Sequence, residues 1–355
     1  MSTYLFAGGG TAGHVNPLLA VADRLRDRQP DAEILVLGTK EGLEARLVPA
    51  RGYELLTIER LPFPRKLNAA ALRFPGRFRA AVDDTAGFVR ECGVDAVVGF
   101  GGYASAPAYL AARRTGVPLA IHEGNAKPGF ANRLGARLTR HVGVTFEGTR
   151  LPHATLVGMP LRREIESLDR HAARPEAMTE FGLDPSRPTL LVTGGSTGAR
   201  RINNTVSDAI ALILGIGWQV LHITGEKSEL VDPRLAGYHM LRYCDRMDLA
   251  IAAADFAVAR AGATTVSEFS AIGVPAVFVP YPVGNGEQRF NAKNVVDAGG
   301  AVLVRDTDFQ REWVARELVP ILRNRALVAE MAARTATVGV RDAADRMVDL
   351  ALASR

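Results

Sequence analysis

A short apolar strand followed by a glycine loop and a helix occurs twice in this sequence, and this repeated unit constrains the fold most. In the first copy, Tyr4–Ala7 leads into Gly8-Gly-Gly-Thr-Ala-Gly-His14. In the second copy, Thr189–Thr193 leads into Gly194-Gly-Ser-Thr-Gly-Ala-Arg200. Apolar runs of this length, bounded by glycine, are typical of buried strands. Helical patterns follow both loops, so each copy predicts a strand–loop–helix unit of a parallel sheet.

A second pair of matching segments also indicates an internal repeat. Asp95 begins an apolar run and stands seven residues before Gly102, and Asp255 has the same relation to Gly262. A Gly-Val-Pro turn follows in both halves, and strands alternate with helices throughout. This alternation is typical of doubly wound parallel sheets. We therefore predict an α/β fold with two Rossmann-like domains, whose carboxyl-end faces meet across a ligand-binding cleft.

Composition narrows the class of protein. The chain has 355 residues, of which 47% are hydrophobic and 23% charged, as expected for a soluble two-domain protein. Its two cysteines, Cys92 and Cys244, exclude a disulfide framework and favour a reducing cytosol. The N-terminus lacks the residue order of a signal peptide, and the longest uncharged run, 96–112, is interrupted by glycine and proline. We expect no membrane-spanning segment.

The stretch 60–80 contains six basic residues and no acidic one, although the net charge of the chain is only +5. Basic residues interleaved with apolar ones are typical of a segment that lies on anionic lipid. The residues predicted to contact a membrane are Leu72, Phe74, Arg77 and Phe78. A solvated loop followed by an ordinary amphipathic helix, from about 77 to 92, is an equally good interpretation. No nucleic-acid-binding motif accompanies the charge, so nucleic acid is not expected as a partner.

The first glycine loop formally matches the G-x-G-x-x-G pattern of dinucleotide-binding proteins, through Gly8, Gly10 and Gly13. Such loops admit a phosphate because no side chain blocks the backbone N–H groups at the helix N-terminus. A dinucleotide site also needs an acid at the end of the second strand, to hold a ribose. Here that strand ends in Gly38-Thr-Lys40, and Glu41 comes too late. The loop therefore predicts a phosphate site but no nicotinamide or flavin cofactor.

Three segments of the second half are candidate binding elements, and each has a purely structural alternative. Gly194-Gly-Ser196 can bind phosphate, or can form a plain turn with a side-chain cap. In Arg260-Ala-Gly-Ala-Thr-Thr-Val-Ser-Glu268, the last residue can bind a sugar diol, or can complete a Thr-x-x-Glu capping box. Glu287 and Gln288 can reach sugar hydroxyls, or can simply begin a helix.

His14 and Glu123 are the candidate catalytic residues. His14 ends the first loop, where it can act as a general base or contact a phosphate, although histidines near helix starts are often structural. Glu123 follows a strand end, where it can deprotonate or orient a hydroxyl, or cap a helix. The Asp-x-Asp segment Asp306-Thr-Asp308 lacks histidine or cysteine nearby, so we predict no metal site. Asp308 is expected to cap the helix that begins near Gln310.

Together these segments resemble the MurG family of UDP-N-acetylglucosamine–N-acetylmuramyl-(pentapeptide) pyrophosphoryl-undecaprenol N-acetylglucosamine transferases. The resemblance covers essentially the whole chain. The segments that carry it are Gly9-Gly-Thr-Ala-Gly-His-Val-Asn-Pro17, Gly101-Gly-Tyr103, His122-Glu-Gly-Asn125, Gly194-Gly-Ser-Thr-Gly-Ala-Arg200, Arg260-Ala-Gly-Ala-Thr-Thr-Val-Ser-Glu268, and Gly286-Glu-Gln288 with Asn291-Ala292. The family implies a GT-B fold, with the acceptor on an N-terminal domain (1–161) braced by a C-terminal helix (341–355). UDP-GlcNAc is then bound mainly by a domain formed by 162–340.

The family pattern also implies roles for the matching residues. Those implied to contact the donor are Thr11, Ala12, Gly13, Asn125, Arg162, Ser196, Cys244, Ala263, Thr264, Thr265, Val266, Ser267, Glu268 and Gln288. Those implied to contact the acceptor are Gly10, His14, Gly102 and Tyr103. Arg162 and Ser196 are implied to meet the diphosphate, and Glu268 the ribose. Departures from the family pattern are Ala12 and Ala106, where the family has glycine, and Met159, where it has asparagine.

The resemblance implies an inverting, metal-independent transfer of N-acetylglucosamine from UDP-GlcNAc to the C4 hydroxyl of lipid I (undecaprenyl-pyrophosphoryl-MurNAc-pentapeptide), giving lipid II in peptidoglycan biosynthesis. UDP-GlcNAc is the co-substrate and no cofactor is required. The implied location is peripheral, on the cytoplasmic face of the cell membrane. Implied partners are lipid I, an anionic membrane surface, and cell-wall synthesis and division proteins. Two alternatives stay open: a related GT-B lipid glycosyltransferase with a diacylglycerol acceptor, and a UDP-sugar epimerase or binding protein.

Overall fold

The computed structural model of the chain describes residues 2–62, 64, 69–195, 198–283 and 286–354, and at 69 and 70 it describes the backbone alone. The chain divides into two compact units. The first contains Met1–Arg162 together with Arg341–Arg355, and the second contains Arg163–Val340.

The first unit is a seven-stranded parallel sheet covered by helices. Its strands are β1 (Thr3–Ala7), β2 (Glu33–Gly38), β3 (Glu54–Thr57), β4 (Ala96–Gly99), β5 (Leu119–Glu123), β6 (His141–Val144) and β7 (Ala154–Leu156). Its helices are α1 (Ala12–Arg28), α2 (Glu44–Ala50), α3 (Ala69–Glu91), α4 (Ser105–Thr115), α5 (Phe130–Gly135) and, from the far end of the chain, α16 (Ala343–Leu352). The strand order is β3-β2-β1-β4-β5-β6-β7.

The second unit is a six-stranded parallel sheet. Its strands are β8 (Thr189–Thr193), β9 (Gln219–Ile223), β10 (Tyr238–Leu241), β11 (Phe256–Ala259), β12 (Ala276–Phe278) and β13 (Ala301–Leu303). Its helices are α6 (Arg163–Glu166), α7 (Arg170–Glu180), α8 (Arg200–Leu214), α9 (Met247–Ala253), α10 (Ala263–Ile272), α11 (Glu287–Asn291), α12 (Lys293–Asp297), α13 (Arg311–Trp313), α14 (Val319–Arg323) and α15 (Arg325–Ala336), with a π-helical turn at Val314–Leu318. The strand order is β10-β9-β8-β11-β12-β13.

The two sheets repeat one topology, which confirms the predicted pair of doubly wound α/β sheets. Asp95 accepts the Thr3 N–H at 2.9 Å, and Asp255 accepts the Thr189 N–H at 2.8 Å, so the matched acids tie equivalent strands together. Each sheet reverses its strand order at one place, between β1 and β4 or between β8 and β11. Doubly wound sheets bind their ligands at the carboxyl ends of the strands beside this reversal.

Strand β1 is buried on both faces, as expected for a central parallel strand. Tyr4 and Phe6 pack in a cluster with α1 and α16, whereas Leu5 and Ala7 pack on the opposite face with α3 and α4. Helix α16 is held on α1 by the ion pair between Arg24 and Asp345, at 2.7 Å. Among the described residues, no helix has both the length and the apolar character needed to cross a membrane.

Three helix boundaries differ from the sequence predictions. Helix α3 begins at Ala69 rather than near 77 and contains Pro75, because Phe74 and Phe78 lie one turn apart and both pack on the core. The sequence also predicts a helical region at about 311–336 with a break at Pro320. The break instead lies at Asn324, because the Asn324 side chain caps α15 by accepting the Leu327 N–H at 3.0 Å. The prediction that Asp308 caps a helix is wrong. Its carboxylate instead pairs with Arg305, at 2.6 Å.

Candidate active site

In the first unit, the loops after β1 and β4 meet where the strand order reverses. Gly8–Gly10 lies beside Gly101-Gly102, and a Cβ added at Gly102 would collide with the backbone of Gly9. Gly102 also has φ +87°, which favours glycine. The departure at Ala12 is tolerated because this residue begins α1 and needs no positive φ. These loops and the one after β5 form the polar end of a cavity.

This cavity has a volume of about 380 Å³ and joins the candidate catalytic residues to apolar side chains. Its polar end contains His14, Glu123 and Asn125 with the glycines of the β4 loop. Its apolar residues are Leu61, Phe74, Phe78, Ala106, Phe130, Ala131 and Leu134, and Tyr103 also lines it. Two of the four residues predicted to contact a membrane, Phe74 and Phe78, therefore border the same cavity as His14.

His14 is half-buried in the first turn of α1. Its Nδ1 lies 3.2 Å from the hydroxyl of Thr11, the residue that precedes the helix. Burial lowers the pKa of His14 below its usual 6.5, and the shift is opposed by the charge of Glu123, a hydrogen bond with the Gly9 backbone and the charge of Glu44. A lowered pKa keeps the imidazole neutral at neutral pH. If Nδ1–H donates to Thr11, Nε2 carries the lone pair that a general base needs.

Glu123 is 3% exposed, and both its carboxylate oxygens bind its own loop. Oε1 accepts the Asn125 N–H at 2.8 Å, and Oε2 accepts the Gly129 N–H at 2.9 Å and the Asn132 side-chain amide at 3.0 Å. Tyr109 in turn donates to Asn132 Oδ1 at 2.6 Å. The carboxylate thus holds the β5 loop in place and presents its charge to His14.

Tyr103 is 36% exposed, at the edge of the first loop. Its ring covers Gly10, and the guanidinium of Arg60 lies 5.2 Å from the ring centroid. The Gly10 N–H donates to the buried carboxylate of Glu44 at 2.8 Å. Glu44 was not among the residues predicted from the sequence. The available signal was an acid at the start of α2, close after Gly38 and Gly42.

In the second unit, the loops after β8 and β11 lie at the equivalent reversal. Ser196 lies outside the described residues. Helix α10 starts at Ala263, and its N-cap residue is Gly262, which has no side chain to cap the helix. Thr265 is the third residue of this helix and not its cap, so the capping-box alternative for Glu268 is wrong. The extended Gly262 (φ −63°, ψ 143°) ends the loop earlier than that alternative requires.

The predicted donor residues of α10 lie along one short helix. Ala263, Thr264, Thr265 and Ser267 are half-buried, whereas Val266 and Glu268 are buried. Backbone N–H groups in a first helical turn have no partner within the helix, and the N-terminus carries a partial positive charge. This end of α10 can therefore receive an anion.

Arg260 lies in the loop that follows β11, and α11 contacts the same loop. The Arg260 guanidinium donates to the carbonyls of Val279 and Pro280 and pairs with Asp306 at 2.5 Å, so the Asp-x-Asp acid serves an ion pair. Asn291, at the end of α11, donates to the Ala261 carbonyl at 3.2 Å. Gln288 and Glu287 stand half-buried in the first turn of α11, and the Gln288 side chain accepts the Tyr281 N–H at 2.9 Å.

The remaining predicted residues are placed as follows. Thr11, Ala12 and Gly13 are exposed at the start of α1, and Asn125 is half-buried in the loop that Glu123 holds. Arg162 is half-buried at the boundary of the first unit, and Cys244 is 9% exposed in the second.

Of the other two residues predicted to contact a membrane, Leu72 is 85% exposed, and Arg77 pairs with Glu59 at 2.5 Å. In the described part of the chain, no three histidine, cysteine or acidic side chains are grouped to hold a metal ion.

Comparison with known proteins covers both units. Residues 4–144 match the N-terminal domain of glycosyltransferase family 28, and residues 189–347 match its C-terminal domain. The UDP-N-acetylglucosamine–N-acetylmuramyl-(pentapeptide) pyrophosphoryl-undecaprenol N-acetylglucosamine transferase of Leifsonia xyli subsp. xyli (strain CTCB07) is 67% identical over 350 residues, 99% of this chain and 98% of the relative. The protein of the same name from Clavibacter sepedonicus is 61% identical over 100% of this chain and 98% of its own. The crystal structure of Acinetobacter baumannii MurG, 29% identical, has a TM-score of 0.82 over 99% of this chain and 100% of its own.

Proposed function

The chain belongs to the MurG family within glycosyltransferase family 28, and on this premise we propose that it transfers N-acetylglucosamine from UDP-GlcNAc to the C4 hydroxyl of lipid I, giving lipid II. UDP-GlcNAc is the co-substrate, and the reaction needs no cofactor. The observation that carries the acceptor assignment is the cavity of the first unit, which is lined both by His14 and by aromatic side chains. A lipid-linked sugar likewise combines a polar sugar with an apolar lipid chain.

His14 is proposed as the general base. Its neutral imidazole takes the proton of the C4 hydroxyl, and the oxygen attacks the anomeric carbon of the donor sugar. The bond from that carbon to the β-phosphate oxygen breaks with inversion, and UDP leaves. Glu123 is the weaker candidate base because its oxygens already accept three hydrogen bonds. Its negative charge stabilises the imidazolium that forms.

Gly10, Gly102 and Tyr103 are proposed to surround the acceptor. Gly10 and Gly102 expose backbone beside His14, and Tyr103 lines the cavity that leads to the aromatic residues. Thr11, Ala12, Gly13 and Asn125 are proposed to reach the donor sugar from this side. Their exposed or half-buried position at the opening of the loop supports that role.

The second unit is proposed to bind UDP-GlcNAc. The N-terminus of α10, which follows Gly262, supports a diphosphate there through the backbone of Ala263 to Thr265, with Arg162 and Ser196 as further proposed contacts. Glu268, at 7% exposure, is proposed to accept the ribose hydroxyls, with Val266 and Ser267 beside it. Gln288 is proposed to contact the sugar, and the main chain at Cys244 the uracil.

The chain is further proposed to sit peripherally on the cytoplasmic face of an anionic membrane, with cell-wall synthesis and division proteins as partners. Support for the membrane contact comes from α3, where Leu72 is 85% exposed among basic residues, and from Phe130, which is 65% exposed. Arg77 pairs with Glu59 and Arg79 with Asp83, so Arg73 contributes more charge to that surface.

The test is an assay of UDP release from UDP-GlcNAc, with and without lipid I in detergent. We expect release only with lipid I, together with a product heavier by one N-acetylhexosamine. Release without any acceptor, or conversion to an epimeric UDP-sugar, would favour the epimerase. Release with diacylglycerol but not with lipid I would favour the other lipid glycosyltransferase.

A further inference from the structure

We propose that Glu44 is a positioning residue for His14, because its buried carboxylate occupies the first glycine loop from inside and holds the loop that leads into α1. The inference rests on the proposed function, since it gives Glu44 a part in the same transfer. Glu44 contacts neither substrate in this proposal. It acts through Gly10 and through its charge.

The contacts of Glu44 bring two segments together. Glu44 is the first residue of α2 and is 0% exposed. Its Oε2 accepts the Gly10 N–H at 2.8 Å, and its Oε1 accepts both the N–H of Thr39 at 2.9 Å and the Thr39 hydroxyl at 2.8 Å. The two carboxylate oxygens thus accept three hydrogen bonds from two segments of the chain. The loop after β1 is thereby fastened to the loop after β2.

Three glycines form the socket for this side chain. A Cβ added at Gly9 or Gly42 would collide with the Glu44 carboxylate, and one at Gly38 would collide with its Cγ. None of the three has a positive φ, so glycine is needed there for space and not for backbone freedom. Gly9 and Gly42 thus enclose the two carboxylate oxygens and Gly38 the stem of the side chain, which indicates a site built for a glutamate.

The contacts change what the first loop can bind. In a phosphate-binding glycine loop, the backbone N–H groups point to the ligand and the helix end favours a negative charge. Here the Gly10 N–H is taken by Glu44, and a fixed negative charge lies inside the loop. A substrate phosphate would meet repulsion there. The loop therefore serves to place His14, and the predicted phosphate site is better assigned elsewhere.

The charge of Glu44 also reaches His14. The titratable groups that face His14 are Glu44 from α2, and Glu123 and His122 from β5. Both glutamates oppose the effect of burial, and so raise the pKa of His14. Loss of the Glu44 charge should lower that pKa further and leave a weaker base.

The proposal is tested with Glu44→Gln in the full chain. Glutamine keeps the size but loses the charge, and its NH2 group must face a former donor. We expect kcat to fall roughly tenfold to a hundredfold, and the acid limb of the kcat profile to move to lower pH because the base has a lower pKa. The KM for UDP-GlcNAc should change less than kcat does, since the proposed nucleotide contacts of the second unit are untouched. The matched control is Glu41→Gln, an exposed acid of the same loop, which should behave as the wild type.

Two further variants separate positioning from folding. Glu44→Asp keeps the charge on a shorter side chain, so kcat should fall while the acid limb stays in place. Thr39→Val removes one donor and keeps the carboxylate, so it should lower kcat by about fivefold at most. If Glu44→Gln does not melt cooperatively, the kinetics of Glu44→Asp and Thr39→Val decide whether Glu44 positions His14. Wild-type transfer to lipid I, with unchanged kcat and an unshifted acid limb in the folded variants, overturns the positioning role. Absence of transfer in the wild type instead overturns the proposed function.

Discussion

The two glycine loops occupy equivalent places in the two sheets, but they are held in different ways. The first loop is fastened by a carboxylate, through the bond from Gly10 to Glu44. The second is fastened by backbone: Gly198 packs so closely on the Thr224 carbonyl that a Cβ would collide with it. Gly195 donates to the Thr193 hydroxyl at 3.3 Å. At positions 194, 195, 198 and 199, which the structure describes, no carboxylate accepts a hydrogen bond from the loop.

This difference shows that one topology can give two electrostatic environments. A helix N-terminus attracts an anion, and in the first unit Glu44 already places a carboxylate in the loop that leads into α1. In the second unit, by our proposal, the end of α10 receives the diphosphate of the ligand. We therefore expect chemistry to depend mainly on the first unit and nucleotide affinity on the second. Each prediction below tests that division.

The largest effect is expected from His14→Ala. Removal of the base should lower kcat by about a hundredfold to ten-thousandfold, whereas the KM for UDP-GlcNAc should stay within about twofold. Steady-state kinetics with lipid I would measure both. His171→Ala, on the exposed face of α7, is the matched control and should leave kcat unchanged. If His14→Ala keeps more than a tenth of the wild-type kcat, His14 is not the general base, and the chemistry does not depend on the first loop.

Glu268→Gln should weaken nucleotide binding by the second unit and leave the chemistry of the first unit unchanged. The lost charge weakens hydrogen bonds to the ribose, so the KM for UDP-GlcNAc should rise roughly tenfold to a hundredfold. The KM for lipid I should not change. Isothermal titration with UDP would measure the same loss without any acceptor. A rise in the lipid I KM, with normal UDP binding, would contradict the assignment of the nucleotide to the second unit.

The smallest effect concerns how the loops are held. Gly198→Ala forces a side chain into a position with φ +80° and against the Thr224 carbonyl, and should destabilise the second unit by about 2 kcal/mol. Gly182→Ala is the matched control, because Gly182 has φ +62° but no atom near its added Cβ, and it should cost about 1 kcal/mol. Gly13→Ala, in the first loop, should cost less than either. Urea unfolding measures all three, and equal losses at Gly13 and Gly198 would show that backbone contact is not what holds the second loop.

Much of the fold could be predicted because its signals are local. The apolar runs before both glycine loops and the acids Asp95 and Asp255 identified the repeated strands, and in the structure these two acids make the same bond. The start of α3 could not be predicted in this way. Pro75 and Gly76 are local breakers, and the packing of Phe74 and Phe78 that carries the helix through them depends on distant residues.

The site was predicted less completely, for a related reason. A dinucleotide site would need an acid that holds a ribose at the end of β2, and Glu41 comes too late in the chain for that role. The acid that matters, Glu44, lies three residues later and faces back into the glycine loop. The role of Gly9, Gly38 and Gly42 in accommodating it depends on three segments coming together, which spacing does not reveal.

The placement of α16 has a consequence for biosynthesis. Its residues Met347, Val348 and Ala351 pack in the same cluster as Leu18 and Val21 of α1, although the whole second unit lies between them in the chain. A ribosome releases the N-terminal part first, so the nascent first unit keeps one apolar face of α1 uncovered while 178 further residues, Arg163–Val340, are translated. The unit that is synthesised first is therefore the last to be completed, and a chaperone that binds apolar segments has its longest opportunity there.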